Sequence, residues 1–279
     1  MDTSMPSTFS ISPSELSNLV GHPGAPMLLD VRRDVRFAES DRMVPGALRC
    51  APDAVADLVA AHPPGDVVVY CVHGLEIGEQ AASGLRAAGW NARFLQGGIE
   101  GLIEAGLPTI RKRPDLGVTG QAPSQWITRA RPKIDRIACP WLITRFIDPN
   151  ARFHYVPTDQ VFEEAQRLRA VPYDIADAPI THEGDQCSFD ALLKAFDLRD
   201  RALEALARIV RGADTDRLNL APQSAGLLAV SLGLSRLYAD DHAMLTAAMP
   251  VYDALYAWCR GASNERHTWQ VPATKESNA

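Results

Sequence analysis

The sequence predicts an α/β protein with two domains: a parallel sheet flanked by helices, and then a mainly helical α+β domain. Apolar, β-branched runs alternate with helical patterns over residues 1–112, which is typical of parallel strands joined by helices. A stretch rich in proline, glycine and basic residues follows at 113–125, and helical patterns predominate beyond it. We therefore expect domains at 1–112 and 126–262, a linker at 113–125, and a polar tail at 263–279.

The composition favours a soluble, cytoplasmic protein. Of the 279 residues 46% are hydrophobic, and no apolar run approaches the ~20 residues that span a bilayer, so no membrane partner is expected. Residues 1–10 lack the basic start and the apolar stretch of a secretory signal. A formal net charge of −6 argues against non-specific binding to nucleic acid.

The cysteines indicate reduced thiols rather than a disulfide framework. They are odd in number, widely spaced and free of any C-x-x-C pair, which suits a reducing compartment. The same spacing gives no support for a zinc ribbon or finger. The five are Cys50, Cys71, Cys139, Cys187 and Cys259.

The first domain is predicted to alternate strands and helices. Ser12 and Pro13 are of the types that begin a short helix, and Met27–Val31 is the first convincing strand. A helix at 54–61 ends at two prolines and a glycine. The remaining elements are a strand at 67–70, a helix at 78–88, a strand at 92–95 and a helix at 98–105.

The second domain is predicted to open with a strand, Trp126–Arg129, and a helix, Lys133–Phe146, which Pro140 either kinks or restarts. Short strands are expected at 153–156 and 173–175. Long helical patterns then occupy 188–196, with Ser188 as cap, and 200–210, 223–238 and 240–260.

One stretch of the first domain carries the strongest chemical signal. The buried strand at 67–70 ends at Cys71, and a short loop leads directly into a helix, which places the sulfur over loop N–H groups and a helix N-terminus. Such an arrangement favours an anion and stabilises a thiolate or a persulfide. The alternative is a small apolar thiol buried at a strand end. The residues after Cys71, called the Cys71 loop below, are Val72, His73, Gly74, Leu75, Glu76 and Ile77.

Three segments in this order resemble the rhodanese family. They are Leu28–Arg32 with Val44–Leu48, the Cys71 loop, and Phe94–Leu102 with Ala105–Pro108. The resemblance covers about residues 11–110 and implies a small α/β domain whose cysteine carries sulfane sulfur as a persulfide, without a required cofactor. Asp30 and Arg32 either brace each other near this site or make a solvated loop contact.

The Cys71 loop departs from the family pattern in its charge. Many thiosulfate-using members have a basic residue in this loop, whereas this chain has His73 and the acidic Glu76. A like charge ~4 Å away costs about 1 kcal/mol in water and about 4 kcal/mol at an effective dielectric constant near 20. We therefore expect the dianion thiosulfate to be a poor donor.

The second domain resembles the C-terminal domain of ChrB-type chromate-resistance proteins. The matching segments are Trp126–Arg129, Arg131–Ile143, Arg145–Asp148, Thr181–Asp185, Cys187–Phe189 and Asp240–His242. The resemblance implies a role in the response to chromate, as a regulator or an accessory factor.

Donor residues in this domain suggest a divalent metal, zinc or iron. Imidazole and carboxylate groups suit a borderline cation, and Cys139 or Cys187 could join them. The alternative is ordinary helix capping by aspartates and burial of small thiols. The candidate ligands are His182, Glu183, Asp240, Asp241 and His242, with Asp135 beside Cys139.

A basic cluster in the same domain could bind an oxyanion such as chromate. More often, such a run is a solvated face or pairs with nearby acids. Its members are Arg129, Arg131, Lys133 and Arg136.

Two functions of different classes fit these observations. The first is a cytoplasmic sulfurtransferase in which Cys71 accepts sulfane sulfur from a small donor and passes it to a thiol or cyanide. The second is a non-catalytic sensor or regulator that binds chromate or a metal and uses the rhodanese module as a scaffold.

Overall fold

The computed structural model describes residues 9–265, and its first part is built on parallel strands. The strands are β1 (Ser10–Ile11), β2 (Met27–Asp30), β3 (Arg42–Met43), β4 (Ala47–Arg49), β5 (Asp66–Tyr70), β6 (Asn91–Leu95) and β7 (Ile110–Arg111). Five of them form one sheet in the order β1-β6-β5-β2-β4, with every neighbouring pair parallel. The predicted α/β class is thus confirmed, with β5 at the centre of the sheet. Strands β3 and β7 form a separate antiparallel pair.

The helices of this part connect the strands. They are α1 (Pro13–Leu19), α2 (Asp34–Glu39), α3 (Val55–Ala61), α4 (Glu76–Ala87) and α5 (Gly98–Glu104). Helix α1 begins where predicted, because the Ser12 hydroxyl accepts from the Glu15 amide while the Glu15 carboxylate accepts from the Ser12 amide. Helix α4 begins at Glu76, so the last two residues of the Cys71 loop form its first turn.

Up to residue 265, where the described part ends, the second part of the chain combines a small parallel sheet with six α-helices. Its strands, β8 (Gln125–Arg129), β9 (Arg152–Val156) and β10 (Val171–Pro172), are arranged β10-β8-β9. The strand predicted at 173–175 lies slightly earlier, and a helix that we did not predict, α7, follows β9. The helices are α6 (Asp135–Leu142), α7 (Val161–Leu168), α8 (Ser188–Ala195), α9 (Arg201–Asp214), α10 (Ser224–Leu237) and α11 (Asp241–Ala257).

Helix α6 is shorter than the predicted Lys133–Phe146. It cannot begin before Asp135, because Ile134 has a left-handed φ of 43°, which is unusual for a β-branched residue. Pro140 lies inside the helix and has no N–H for the carbonyl of Arg136. The Tyr173 hydroxyl donates to that carbonyl instead, at 3.3 Å. A π-helical turn at Ile143–Ile147 continues the chain beyond α6.

One apolar core joins the two parts of the chain. It contains Val68 and Leu95 from the first sheet together with Trp141 and Phe146 from the second part, all of them buried. Backbone hydrogen bonds reinforce the contact: the Gly46 amide donates to the Phe146 carbonyl at 2.7 Å, and the Arg111 amide donates to the Phe196 carbonyl at 2.7 Å. The fixed relation of the two parts therefore rests on packing as well as on the chain connection.

The predicted linker at 113–125 packs against both parts, because Leu116 and Val118 belong to the shared core. Most of the predicted polar tail, 263–279, lies outside the described residues. Between residues 9 and 265, no helix combines the length and the apolar character needed to cross a bilayer.

Candidate functional site

Cys71 lies at the carboxyl end of β5, beside an open cavity. Its side chain is 6% exposed and belongs to an apolar cluster with Val31 and Val69. The sulfur is therefore mostly buried, yet Cys71 also lines a cavity of about 470 Å³. The other lining residues are Arg32, Arg33, Arg36, Val72, His73, Leu75, Glu76 and Ile77.

The carbonyl groups at the start of the Cys71 loop are tied to helix α5. The Ile99 amide donates to the Cys71 carbonyl at 3.0 Å, and the Glu100 amide donates to the Val72 carbonyl at 3.1 Å. This approach requires glycine at position 98, whose φ is 60° and where a Cβ atom would lie 2.3 Å from the Val72 carbonyl oxygen. The loop backbone is thus held with its carbonyl oxygens turned to α5.

The amide groups of the same loop are unpaired within the described part of the chain. None of the N–H groups from Val72 to Gly78 donates to a protein acceptor between residues 9 and 265. Glu76, Ile77 and Gly78 form the first turn of α4, whose N–H groups have no intrahelical acceptor, so the loop places a helix N-terminus and four further free donors beside the cavity, an arrangement suited to an anion.

Asp30 and Arg32 form a buried ion pair beside this cavity. This is the first of the two predicted alternatives, mutual bracing rather than a solvated loop contact. Arg32 Nε donates to Asp30 Oδ1 at 2.9 Å and Arg32 Nη2 to Asp30 Oδ2 at 2.5 Å, and both side chains are buried. The Tyr70 hydroxyl also donates to Asp30 Oδ2, at 2.9 Å. The network fixes the segment between β2 and α2 next to Cys71.

Sequence analysis did not single out Arg33 and Arg36 as site residues. Both line the Cys71 cavity and both are exposed. Arg36 pairs with Glu39 at 2.8 Å, whereas Arg33 forms no ion pair within the described residues. Their signal was the Arg32-Arg33-x-x-Arg36 spacing directly after β2, which places cations at the carboxyl edge of the sheet.

A second candidate site, called the Asp–His cluster below, consists of Asp135, Asp174, His182 and Asp214. His182 Nε2 lies 3.1 Å from Asp214 Oδ2, 3.3 Å from Asp174 Oδ1 and 3.8 Å from Asp135 Oδ2. Four separate segments contribute: the start of α6, the residues after β10, the loop before α8, and the end of α9. Only the fold brings these side chains together.

Asp135 is the buried member of the cluster. Its carboxylate accepts from the Ser188 amide at 2.6 Å and the Phe189 amide at 3.0 Å, in the first turn of α8. Burial, and then the charges of Asp174 and Asp214, raise the pKa of Asp135 to about 8.

Within the cluster, the hydrogen bond between Asp174 and His182 has the largest effect on the pKa of the histidine. Burial alone would raise the pKa of Asp174, but hydrogen bonds from His182 and Ser188 hold it below the usual value. Arg129 Nη2 at 3.3 Å and Arg136 Nε at 3.4 Å add positive charge beside it. In return, the hydrogen bond to Asp174 and the other carboxylates raise the pKa of His182 to about 9, against the effect of burial.

Of the donor residues named from the sequence, His182 and Asp135 lie in this cluster. Glu183 pairs with Lys194 at 2.5 Å, and Asp240 caps α11 by accepting from the Ala243 amide at 2.7 Å. Asp241 accepts from the Arg131 amide at 3.0 Å, and the His242 ring packs on Tyr155. The predicted set must therefore be revised, because Glu183 and the residues at the start of α11 have other partners.

The sequence gives only weak signals for the two cluster residues that were not predicted, Asp174 and Asp214. Asp214 is the last residue of α9, where a carboxylate meets the negative end of the helix dipole and is unfavourable. Asp174 has a φ of 53°, which no local pattern predicts. Both could be found only by their position in the fold.

The cysteines near the cluster are not among the converging ligand atoms of Asp135, His182 and Asp214. Burial raises the pKa of Cys139 and of Cys187, and the charge of Asp135 raises both further. Cys139 Sγ instead donates to Asp135 Oδ1 at 3.6 Å, and Cys187 takes the cap position of α8 that we had assigned to Ser188. Both thiols stay protonated at neutral pH.

The predicted basic cluster is only partly brought together. Arg129, Lys133 and Arg136 line a cavity of about 810 Å³ that His182 and Asp214 also line. Arg131 turns away, and its guanidinium donates to the carbonyl groups of Ser235, Tyr238 and Ala239 at the end of α10. Oxyanion binding stays a prediction, now without Arg131 and with two of its arginines engaged by Asp174.

The Gly98 contact gives a stability prediction. Replacing Gly98 by alanine should lower the free energy of unfolding by at least about 1 kcal/mol, since a left-handed φ is unfavourable for alanine, and the overlap with the Val72 carbonyl adds to this. Urea unfolding measures it. The control is Gly84→Ala in α4, where a Cβ meets nothing within 4 Å and helix propensity should add up to about 1 kcal/mol. Equal stability of Gly98→Ala and the unsubstituted protein would contradict this.

The Asp–His cluster gives a prediction on pH. Because the folded pKa values of His182 and Asp135 are both raised, the folded state binds more protons than the unfolded state up to about pH 9. The free energy of unfolding, measured with urea in a chelating buffer, should therefore fall as pH rises from about 6.5 to about 9. In His182→Gln this fall should be shallower, and in the exposed control His62→Gln it should be unchanged. An identical slope in His182→Gln would refute the prediction.

Two family models match separate stretches of the chain. The rhodanese-like domain model matches residues 12–105, and the model described as ChrB, C-terminal domain, matches residues 126–259. Protein ChrB of Cupriavidus metallidurans is 36% identical over 135 residues, which are 47% of this chain and 40% of that protein. The chain thus spans well under half the length of this relative.

Two solved structures are similar to the first part. A rhodanese-related protein from Thermoplasma volcanium is 23% identical, with 36% of this chain and 95% of that chain covered and a TM-score of 0.31. Thiosulfate sulfurtransferase from Pseudomonas aeruginosa is 27% identical, with 38% and 20% covered and a TM-score of 0.31. By the two family models, the chain joins a rhodanese-like domain, residues 12–105, to a ChrB C-terminal domain, residues 126–259.

Proposed function

We propose that the first domain is a rhodanese-type sulfurtransferase in which Cys71 carries sulfane sulfur as a persulfide. The observation that carries this proposal is the row of seven unpaired loop amides around a cysteine that lines a cavity. A buried apolar thiol does not require free hydrogen-bond donors beside it. A thiolate, a persulfide anion or a sulfur donor supplies the acceptors that these amides lack.

The chemistry is two successive displacements at sulfur. The Cys71 thiolate attacks the outer sulfur of a small sulfane donor, the donor's sulfur–sulfur bond breaks, and the remainder leaves as an anion. The outer sulfur of the resulting Cys71 persulfide is then attacked by a thiolate or by cyanide. This second step releases the Cys71 thiolate and gives a new persulfide or thiocyanate. Every species at position 71 is anionic at some stage, so fixed N–H donors serve both steps.

The charges around the cavity bear on the choice of donor. Arg32, Arg33 and Arg36 line it, but Asp30 neutralises Arg32, Glu39 pairs with Arg36, and Glu76 is itself a lining residue. The three arginines are thus matched by three carboxylates, and a dianion gains little net attraction. The expectation that thiosulfate is a poor donor stands, and we propose persulfides of small thiols as better donors.

The second domain links this chemistry to chromate resistance. Its support is the match to the ChrB C-terminal domain and the similarity to Protein ChrB. We propose that the protein acts in the cytoplasm and that the second domain contributes an acceptor site or specificity. The shared core places the two domains in direct contact, so binding in one part can affect the other.

Sulfur loading tests the proposal directly. After incubation with glutathione persulfide, the intact protein should gain ~32 Da, and peptide mapping should place the added sulfur on Cys71. Thiosulfate should load the protein more slowly at equal concentration. The Cys71→Ser variant should gain no sulfur.

The matched control is Cys50→Ser. Cys50 is 5% exposed, belongs to the same apolar cluster as Cys71 and does not line the cavity, so this variant should load as the unsubstituted protein does. Loading that persists in Cys71→Ser, or a failure of both donors to load the unsubstituted protein, would refute the sulfurtransferase proposal. The non-catalytic scaffold would then be the better hypothesis.

A further inference from the structure

The Asp–His cluster has the geometry of a cation site. One ligand atom each from Asp135, His182 and Asp214 lies within 4.8 Å of the other two. Two atoms that share an ion at ligand distances of about 2.0–2.2 Å lie at most about 4.4 Å apart, so side-chain shifts of a few tenths of an ångström suffice to bring all three onto one ion. The three residues belong to different segments of the fold, so their convergence is not a consequence of neighbouring positions in the chain.

The charges of the cluster are unbalanced in a way that fits a cation. Asp174 has Arg129 and Arg136 as partners. Within the described residues, Asp135 and Asp214 have no lysine or arginine within 4 Å, and His182 is the one cationic group that they share. Asp135 is fully buried, and a buried carboxylate is costly without a full counter-charge. Without an ion, the imidazolium offsets one of these two carboxylates and a proton on the buried Asp135 removes the other charge, whereas a divalent cation offsets both carboxylates.

Neighbouring groups orient the ligands as in metal sites. The Ser188 and Phe189 amides hold the Asp135 carboxylate, and the Ser188 hydroxyl donates to Asp174 Oδ1 at 2.8 Å. Such outer contacts fix the direction of the ligand atoms before an ion arrives. His182 and Asp214 line the cavity of about 810 Å³, so an ion can enter from solvent.

We propose that Asp135, His182 and Asp214 bind one divalent first-row transition cation, with Asp174 positioning His182 or completing the coordination. One imidazole nitrogen with two or three carboxylate oxygens suits Mn²⁺, Fe²⁺ or Zn²⁺, and the imidazole disfavours Ca²⁺. The site keeps His182 and Asp135 from the donors named in the sequence, adds Asp214, and omits Glu183 and the residues at the start of α11. It is independent of sulfur transfer at Cys71.

Metal titration of the full chain tests this. Chelator-treated protein should bind one Mn²⁺, followed by calorimetry and by loss of the free Mn²⁺ EPR signal, and should bind one Zn²⁺ in competition with it. Saturating metal should raise the melting temperature, since the ion binds the folded state. Asp214→Asn and His182→Ala should each weaken binding by about 100-fold or more.

The matched control is Asp177→Asn. Asp177 lines the same cavity but lies outside the cluster, and its φ of 66° is well tolerated by asparagine. This variant should bind metal as the unsubstituted protein does, with circular dichroism confirming the fold of all three variants.

Three results would overturn the proposal. They are no saturable binding of Mn²⁺ or Zn²⁺ by the unsubstituted protein, full affinity in folded Asp214→Asn or His182→Ala, and equal loss of affinity in Asp177→Asn. If a ligand variant fails to fold, the titration of the unsubstituted protein decides alone. If the protein binds no metal, the cluster is a protonated histidine paired with carboxylates.

Discussion

The first domain depends on two backbone hydrogen bonds from helix α5 to the carbonyl groups of Cys71 and Val72. They fix the direction of the peptide groups at the start of the Cys71 loop and leave the amide side of the loop without protein acceptors. Gly98 is the residue that permits this approach, since any Cβ there would overlap the loop carbonyl oxygen. The capacity of the Cys71 cavity to stabilise an anion depends on this contact, because the N–H donors are in place before any anion binds.

The second domain shares an apolar core with the first domain. Its aromatic residues, with Trp141 stacked on Phe189 and in edge contact with Phe146, form the centre of a core that includes one face of the first sheet. The stretch at 113–125 is packed into the same core, which explains why a segment with linker composition behaves structurally as part of both domains. The Cys71 cavity and the Asp–His cluster are therefore two sites of one packed body.

The two sites differ in how far the sequence could predict them. The strand, the Cys71 loop and helix α4 are contiguous, so local patterns were enough to place Cys71 at a strand end and Asp30 beside Arg32. The Asp–His cluster draws on four separate segments, and its partners Asp174 and Asp214 carry no motif. Acidic residues next to the predicted histidines were misleading there, because Glu183, Asp240 and Asp241 have partners outside the cluster. Contiguous sites can be predicted from pattern, whereas sites assembled by tertiary packing cannot.

The central claim is that the loop amides hold an anionic sulfur on Cys71. A crystal structure of the protein after exposure to a persulfide donor tests this most directly, with anomalous scattering to locate sulfur. The account predicts a second sulfur bonded to Cys71 Sγ, within hydrogen-bonding distance of two or more N–H groups between Val72 and Gly78. An unmodified Cys71 turned into the apolar cluster, with those N–H groups bonded to other protein acceptors, would contradict it.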